Sequence, residues 1–93
     1  MDLKVHVILI DNIGKIATNE RYTVAQFKEK IVLPRNGSNE LLIVRTLAMT
    51  VTVSHDQMTV TGHQSQHSQE CIDHLNNLFE VRMAHLRELG LLW

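Results

Sequence analysis

Apolar residues recur at spacings of three and four through the last part of the chain: Ile72, Leu75, Phe79, Leu86, Leu89 and Trp93, with Arg82 standing inside the stripe. That period predicts an amphipathic helix over about residues 66–89. Ser65 or Ser68 is placed to cap it, and Gly90 fits the C′ position, with Leu91 folding back on Leu86. A helix of this length spans about 36 Å, whereas an ordinary strand covers ~17–20 Å. Part of the stripe must cover a sheet, and the surplus is expected to meet another chain, since large apolar patches are rare on monomers. The expected interface is therefore Ile72, Leu75, Phe79, Arg82, Leu86, Leu89 and Trp93, most simply a two-fold homodimer. Arg82 has Leu78, Phe79, His85 and Leu86 as its helical neighbours and no carboxylate among them. It is expected either to snorkel or to reach a carboxylate or carbonyl of the partner.

Upstream the period is two. Leu3, Val5, Val7 and Leu9 share one face of a strand over residues 3–10, and its other face, with Ile8 and Ile10, turns apolar toward the end. Asp11, Asn12 and Gly14 supply turn chemistry, and residues 15–18 return as a short second strand. Thr23 and Gln26 fit a capping box, while Tyr22 and Phe27 occupy the positions of a hydrophobic staple. They open a short helix, about 24–32, that Pro34 ends. A polar loop over 35–39 follows. Residues 41–44 are apolar on both faces and suit a central strand.

Residues 50–54 and 58–61 alternate cleanly around a Ser54-His55-Asp56-Gln57 turn. Pairing across it sets Val53 opposite Met58, Val51 opposite Val60 and Thr52 opposite Thr59, so polarity agrees in every pair. An unbroken strand from Leu41 to Ser54 would put Arg45 on one face with Ile43, Leu47 and Met49, so a bend or bulge is expected between Arg45 and Ala48. Residues 62–68 read as a polar linker to the last helix. The fold class is α+β, one domain over residues 1–93: a single antiparallel or mixed sheet of four to five strands in β-β-α-β-β(-β)-α order.

The opening, a hairpin followed by Thr23-Val24-Ala25-Gln26-Phe27-Lys28-Glu29-Lys30-Ile31, resembles the start of ubiquitin-like β-grasp domains. The resemblance covers one third of the chain and implies fold alone. The Leu91-Leu92-Trp93 end departs from the diglycine tail of the conjugating members.

Composition narrows the function. Nine basic and ten acidic residues are interspersed, with no basic run to neutralise phosphates, so no nucleic-acid partner is expected. No stretch approaches ~20 apolar residues, so no membrane span is expected, and the charged opening does not resemble a signal peptide. A single cysteine, Cys71, excludes an internal disulfide framework. A cytoplasmic location is therefore expected. The four glycines are isolated, and there is neither a nucleophile elbow nor a Cys-x-x-Cys pair. No enzyme activity and no cofactor are expected.

Only His63, His67, Cys71 and His74 have ligand chemistry at helical spacing, which suits zinc. The plainer reading is exposed histidines beside a small buried thiol. The expected function is a small non-catalytic interaction module (adaptor, regulator or inhibitor) that pairs with itself and with another protein. The alternatives are an anionic-ligand or nucleotide-binding protein using Arg45, Arg82, Arg35 or the histidines, and a histidine-cluster metal protein.

Overall fold

The computed structural model describes residues 4–47, 49–62 and 66–90, and for residues 66 and 67 the backbone alone. Strands β1 (Val5–Ile10) and β2 (Ile16–Tyr22) form a hairpin, followed by helix α1 (Val24–Lys30). Strands β3 (Leu41–Arg45), β4 (Met49–Val53) and β5 (Met58–Gly62) come next, and helix α2 (Gln66–Glu88) is the last element. The sheet order is β2-β1-β3-β4-β5, and every neighbouring pair is antiparallel. The α+β class and the element order are those expected, with five strands. The opening hairpin and the capped helix form as expected, and β3 joins β1 antiparallel.

Each element follows from local chemistry. Asp11 Oδ1 accepts from the amides of Ile13 and Lys15, at 3.0 and 2.9 Å, and Gly14 takes a φ of 83°, which closes the first turn. At α1 the capping box is complete: Thr23 Oγ1 accepts from the Gln26 amide at 3.2 Å, and Gln26 Oε1 accepts from the Thr23 amide at 3.0 Å. Helix α1 stops at Ile31, whose backbone is already extended, so it is shorter than expected; Pro34 lies beyond the break. Gly90, at φ 74°, stands just past α2 and donates to the Arg87 carbonyl at 3.0 Å, as a C′ glycine does. Leu91 lies outside the described residues.

Three boundaries differ from expectation. Strand β2 runs to Tyr22, well past residue 18, because it pairs along the whole of β1. It is an edge strand with mostly exposed side chains, so its polar sequence reads as loop. Between Arg45 and Met49 the chain does not bend but reverses: the Thr46 amide donates to the Met49 carbonyl at 2.9 Å, and β4 returns along β3. The reversal leaves Arg45 opposite Thr50 and sends Met49 into the core. The polar stretch 62–68 is divided, since β5 ends at Gly62 and α2 already begins at Gln66. Ser68 is consequently inside the helix and not its cap. Its buried hydroxyl meets Thr46 Oγ1 at 3.0 Å, tying the start of α2 to the β3–β4 reversal. Ser65 lies outside the described residues.

One face of the sheet makes the core. Val5 and Val7 of β1, Leu42 and Val44 of β3, and Met49, Val51 and Val53 of β4 pack with Phe27, Ile31, Leu33, Cys71, Ile72 and Leu75. The β4–β5 register is the one the polarity pattern predicts: Val53↔Met58, Thr52↔Thr59 and Val51↔Val60. The other face carries His6, Ile8, Ile10, Leu41, Ile43, Arg45 and the threonines of β4 and β5, and no residue there is buried. Both helices therefore lie on one side. Side chains of α1 and its following segment share a cleft with Val7, Leu9, Thr18, Tyr22 and Leu42, so α1 covers the β2–β1–β3 half and α2 the remainder.

Candidate functional site

Helix α2 outruns the core that it covers. Ser68, Cys71, Ile72 and Leu75 are buried, and no residue of the helix beyond Leu75 is. Leu78 and Phe79 still pack against the core from its margin. Arg82 then anchors the helix: Nη1 donates to the carbonyl oxygens of Pro34 and, at 3.4 Å, His55. Those carbonyls belong to the segment after α1 and to the β4–β5 turn, so Arg82 stands at one end of the sheet. The residues after it run on past that end, and the molecule is correspondingly elongated, 45 × 29 × 23 Å.

The expected interface is thereby divided. Ile72 and Leu75 belong to the chain's own core and are closed to a partner. Phe79 and Leu86 are half-buried, and Leu89 is 58% exposed. Trp93 lies outside the described residues. Arg82, expected to reach a carboxylate or carbonyl of a partner, instead spends Nη1 on two carbonyls of its own chain. The accessible apolar surface includes residues that the stripe does not mark: Val81 at 69%, Met83 at 42%, and Val32 at 72%. They lie on both flanks of α2. Ile31, Val32, Leu33, Leu78, Val81, Arg82 and His85 line an open groove of about 390 Å³ between α2 and the segment after α1. Phe79, Glu80, Met83 and Arg87 line the opposite flank, away from α1. Val32, expected at the end of the short helix, lies in the segment after it because α1 stops at Lys30, and there it is exposed.

The cationic residues proposed for an anion are not gathered into one site. Arg35 pairs with Glu40 at 3.1 Å, and the Arg35 backbone amide and guanidinium together hold the Glu40 carboxyl below its ordinary range. Arg45 is exposed on the open sheet face, in register with His6, which in turn faces Arg21 on β2. Neither arginine has an ion pair among the described residues. Arg45 and Arg82 therefore sit on opposite sides of the sheet.

The histidine–cysteine set also separates. Cys71 is fully buried and its thiol is pushed up to about 11, mainly by burial and then by Glu70, so it stays protonated and is a poor ligand as placed. His74 stands edge-on to the Phe27 ring, with centroids 6.1 Å apart. His63 and the His67 side chain lie outside the described residues. Among the described residues no three of histidine, cysteine, aspartate or glutamate are grouped to hold a metal. Asp73 accepts from Gln69 Nε2 at 2.9 Å, and Ser54, Asp56 and Gln57 are engaged in closing their own turn. His55 Nδ1 is buried with no hydrogen-bond partner among the described residues.

No family model matches the chain, and neither a curated protein nor a solved structure matches it. Among the described residues no helix is long and apolar enough to cross a membrane.

Proposed function

We propose that this protein is a small non-catalytic interaction module that acts as a homodimer and adapts or regulates a second protein. The observation that carries the reading is the extension of α2 past its own core, with Val81 exposed beside Val32 and with Met83 and Leu89 also exposed. Exposed apolar residues on a projecting helix are costly in water and favour a covering chain. A two-fold arrangement needs only one patch, because the same surface meets itself. Sedimentation velocity on the intact chain at low micromolar concentration tests it. A dimer that dissociates on Leu89→Glu or Met83→Glu, with the variant monomer still folded and melting cooperatively, is the expected result. A monomer for the intact chain would end the reading.

A second reading rests on a separate observation. Arg21, His6 and Arg45 stand in one row across β2, β1 and β3 on the open face. His6 Nε2 bonds Asn19 Oδ1 at 2.6 Å, and the guanidiniums on the strands either side of it are donors for an anion held across the row. The ligand class would be a small phosphate or carboxylate. Thermal shift with inorganic phosphate and with nucleotides tests this, with Arg45→Ala as the control: a rise in melting temperature that the variant loses supports it.

A further inference from the structure

The sheet face turned away from both helices carries an apolar strip with charge at one end. Ile8 stands opposite Ile43 and Ile10 opposite Leu41, on the adjacent strands β1 and β3. All four are half-buried. Polar residues border the strip, Asn19 and Arg21 on β2 and Thr50 and Thr52 on β4. At its end stand Arg21 and Arg45, on either side of His6, whose ring is turned to Asn19. Both arginines are exposed. Glu20 is the single acid in the five strands, and its register with buried Val7 sets it on the opposite face. The positive end of the strip therefore has no carboxylate on its own face among the described residues.

We propose that this face docks an amphipathic helix of another protein, apolar along the strip and acidic at the end that meets Arg21 and Arg45. The surface lies across the sheet from α2 and so is independent of the homodimer, but it rests on the arginine row of the second reading. Dimensions select a helix. The strip is two strands wide, and Arg21 and Arg45 are two strand spacings apart, about 10 Å. A helix with its side chains has a diameter of about 10–12 Å. One helix lying along the strip thus brings a carboxylate from each flank of one turn to each arginine. The His6–Arg45 pair is about 14 Å from the Ile10–Leu41 pair, a length that roughly nine helical residues cover. The other face of the same sheet already packs against helices, the usual way a sheet face is buried. Charge selects the partner. Two copies stacked by this face would set arginines against a surface without carboxylates in any orientation. Two cations are too few for an anionic membrane or a phosphate backbone, and no aromatic residue of the face is there to stack a base. A guanidinium pair fits two carboxylates, each able to accept two parallel bonds.

Titration of the intact chain with helical peptides, followed by amide NMR shifts, tests this. The probe is a peptide of about 14 residues, long enough to hold a helix. It has leucine at i, i+3, i+4 and i+7 and two glutamates flanking its last turn, and the control has lysines for those glutamates. The acidic peptide should shift the Ile8, Ile43 and Thr52 amides and bind at least ~10-fold tighter than the control. Arg21→Glu/Arg45→Glu, at two exposed positions, should invert that preference. Ile43→Ser should weaken the acidic peptide at least ~10-fold, with the variant's own amide spectrum checking its fold. The proposal is overturned if the two peptides bind equally, if neither shifts the open-face amides, or if Ile43→Ser binds as the intact chain does. Inorganic phosphate shifting the Arg21 and Arg45 amides while the acidic peptide does not would overturn the helix and leave the small-anion reading standing. Phosphatidylserine vesicles bound where the peptide is not would assign the face to a membrane and overturn it equally. Leu89→Glu should bind the acidic peptide as the intact chain does, and loss of binding there would move the peptide to α2 and overturn the docking face. A monomeric intact chain that binds the acidic peptide on the open face would end the homodimer reading and uphold this one.

Discussion

Arg82 donates to the Pro34 carbonyl oxygen across 48 residues of chain and, through the same nitrogen, to the His55 carbonyl oxygen. One side chain thus ties α2 to the segment after α1 and to the β4–β5 turn. Hydrogen bonds from a charged donor contribute about 1.5–3 kcal/mol, and their loss leaves part-buried carbonyls unsatisfied. Arg82→Leu should therefore lower stability by about 2 kcal/mol in urea melts. Arg82→Lys should recover only part of that, since an ammonium lacks the planar spread of donors.

The β4–β5 register predicts a sharp asymmetry between faces. Val53 is fully buried between Leu42 and Met58, so Val53→Asp sets an unpaired charge in the core and should cost at least ~3 kcal/mol. Its neighbour Thr52 points to the open face, where Thr52→Lys should change the urea midpoint little. Equal losses at the two positions would contradict the one-sided core.

Removing the helix start tests local against tertiary control of α1. Thr23→Ala leaves the Gln26 amide without its acceptor and should cost ~1 kcal/mol. Because Phe27 is fully buried, the helix should still form in the variant, with unchanged far-ultraviolet circular dichroism.

Cys71 gives a pH signature. Burial raises its thiol to about 11 from an ordinary 9.0. Between these values the unfolded chain releases a proton that the folded chain retains, so the unfolded state gains. The contribution is intact below pH 9 and is lost as pH rises from 9 toward 11. Chemical melts across that range should show stability falling, and Cys71→Ala should flatten this part of the slope. At neutral pH, iodoacetamide should label Cys71 only at the rate at which the protein opens.

Most of the fold was legible in the order of residues, and the reasons are local. Thr23 and Gln26 specify a helix start by themselves, because both partners of the box lie within four residues. The pairs Val53–Met58, Thr52–Thr59 and Val51–Val60 specify a hairpin because polarity alternates in step on both sides of one short turn. The helix of residues 66–88 announces itself by period. Where a signal was weak, the boundary failed: β2 is polar because it is an edge, and the reversal at Arg45–Met49 has no glycine, proline or asparagine to mark it.

The candidate site was legible only in part, since exposure is not a property of a residue's own neighbours in sequence. Ile72, Leu75, Phe79, Leu86 and Leu89 form one stripe, and nothing in their spacing says where core ends and free surface begins. That division depends on where the sheet ends, which Arg82 marks by reaching Pro34 and His55. Val32 joins the surface only because the chain after α1 runs beside α2. Ile8 meets Ile43 on the open face only because the order β2-β1-β3-β4-β5 sets β1 beside β3. The sequence by itself determined the elements, since caps, turns and periods act over a few residues. Tertiary structure alone decided which apolar residues stay uncovered, because burial depends on segments distant in the chain.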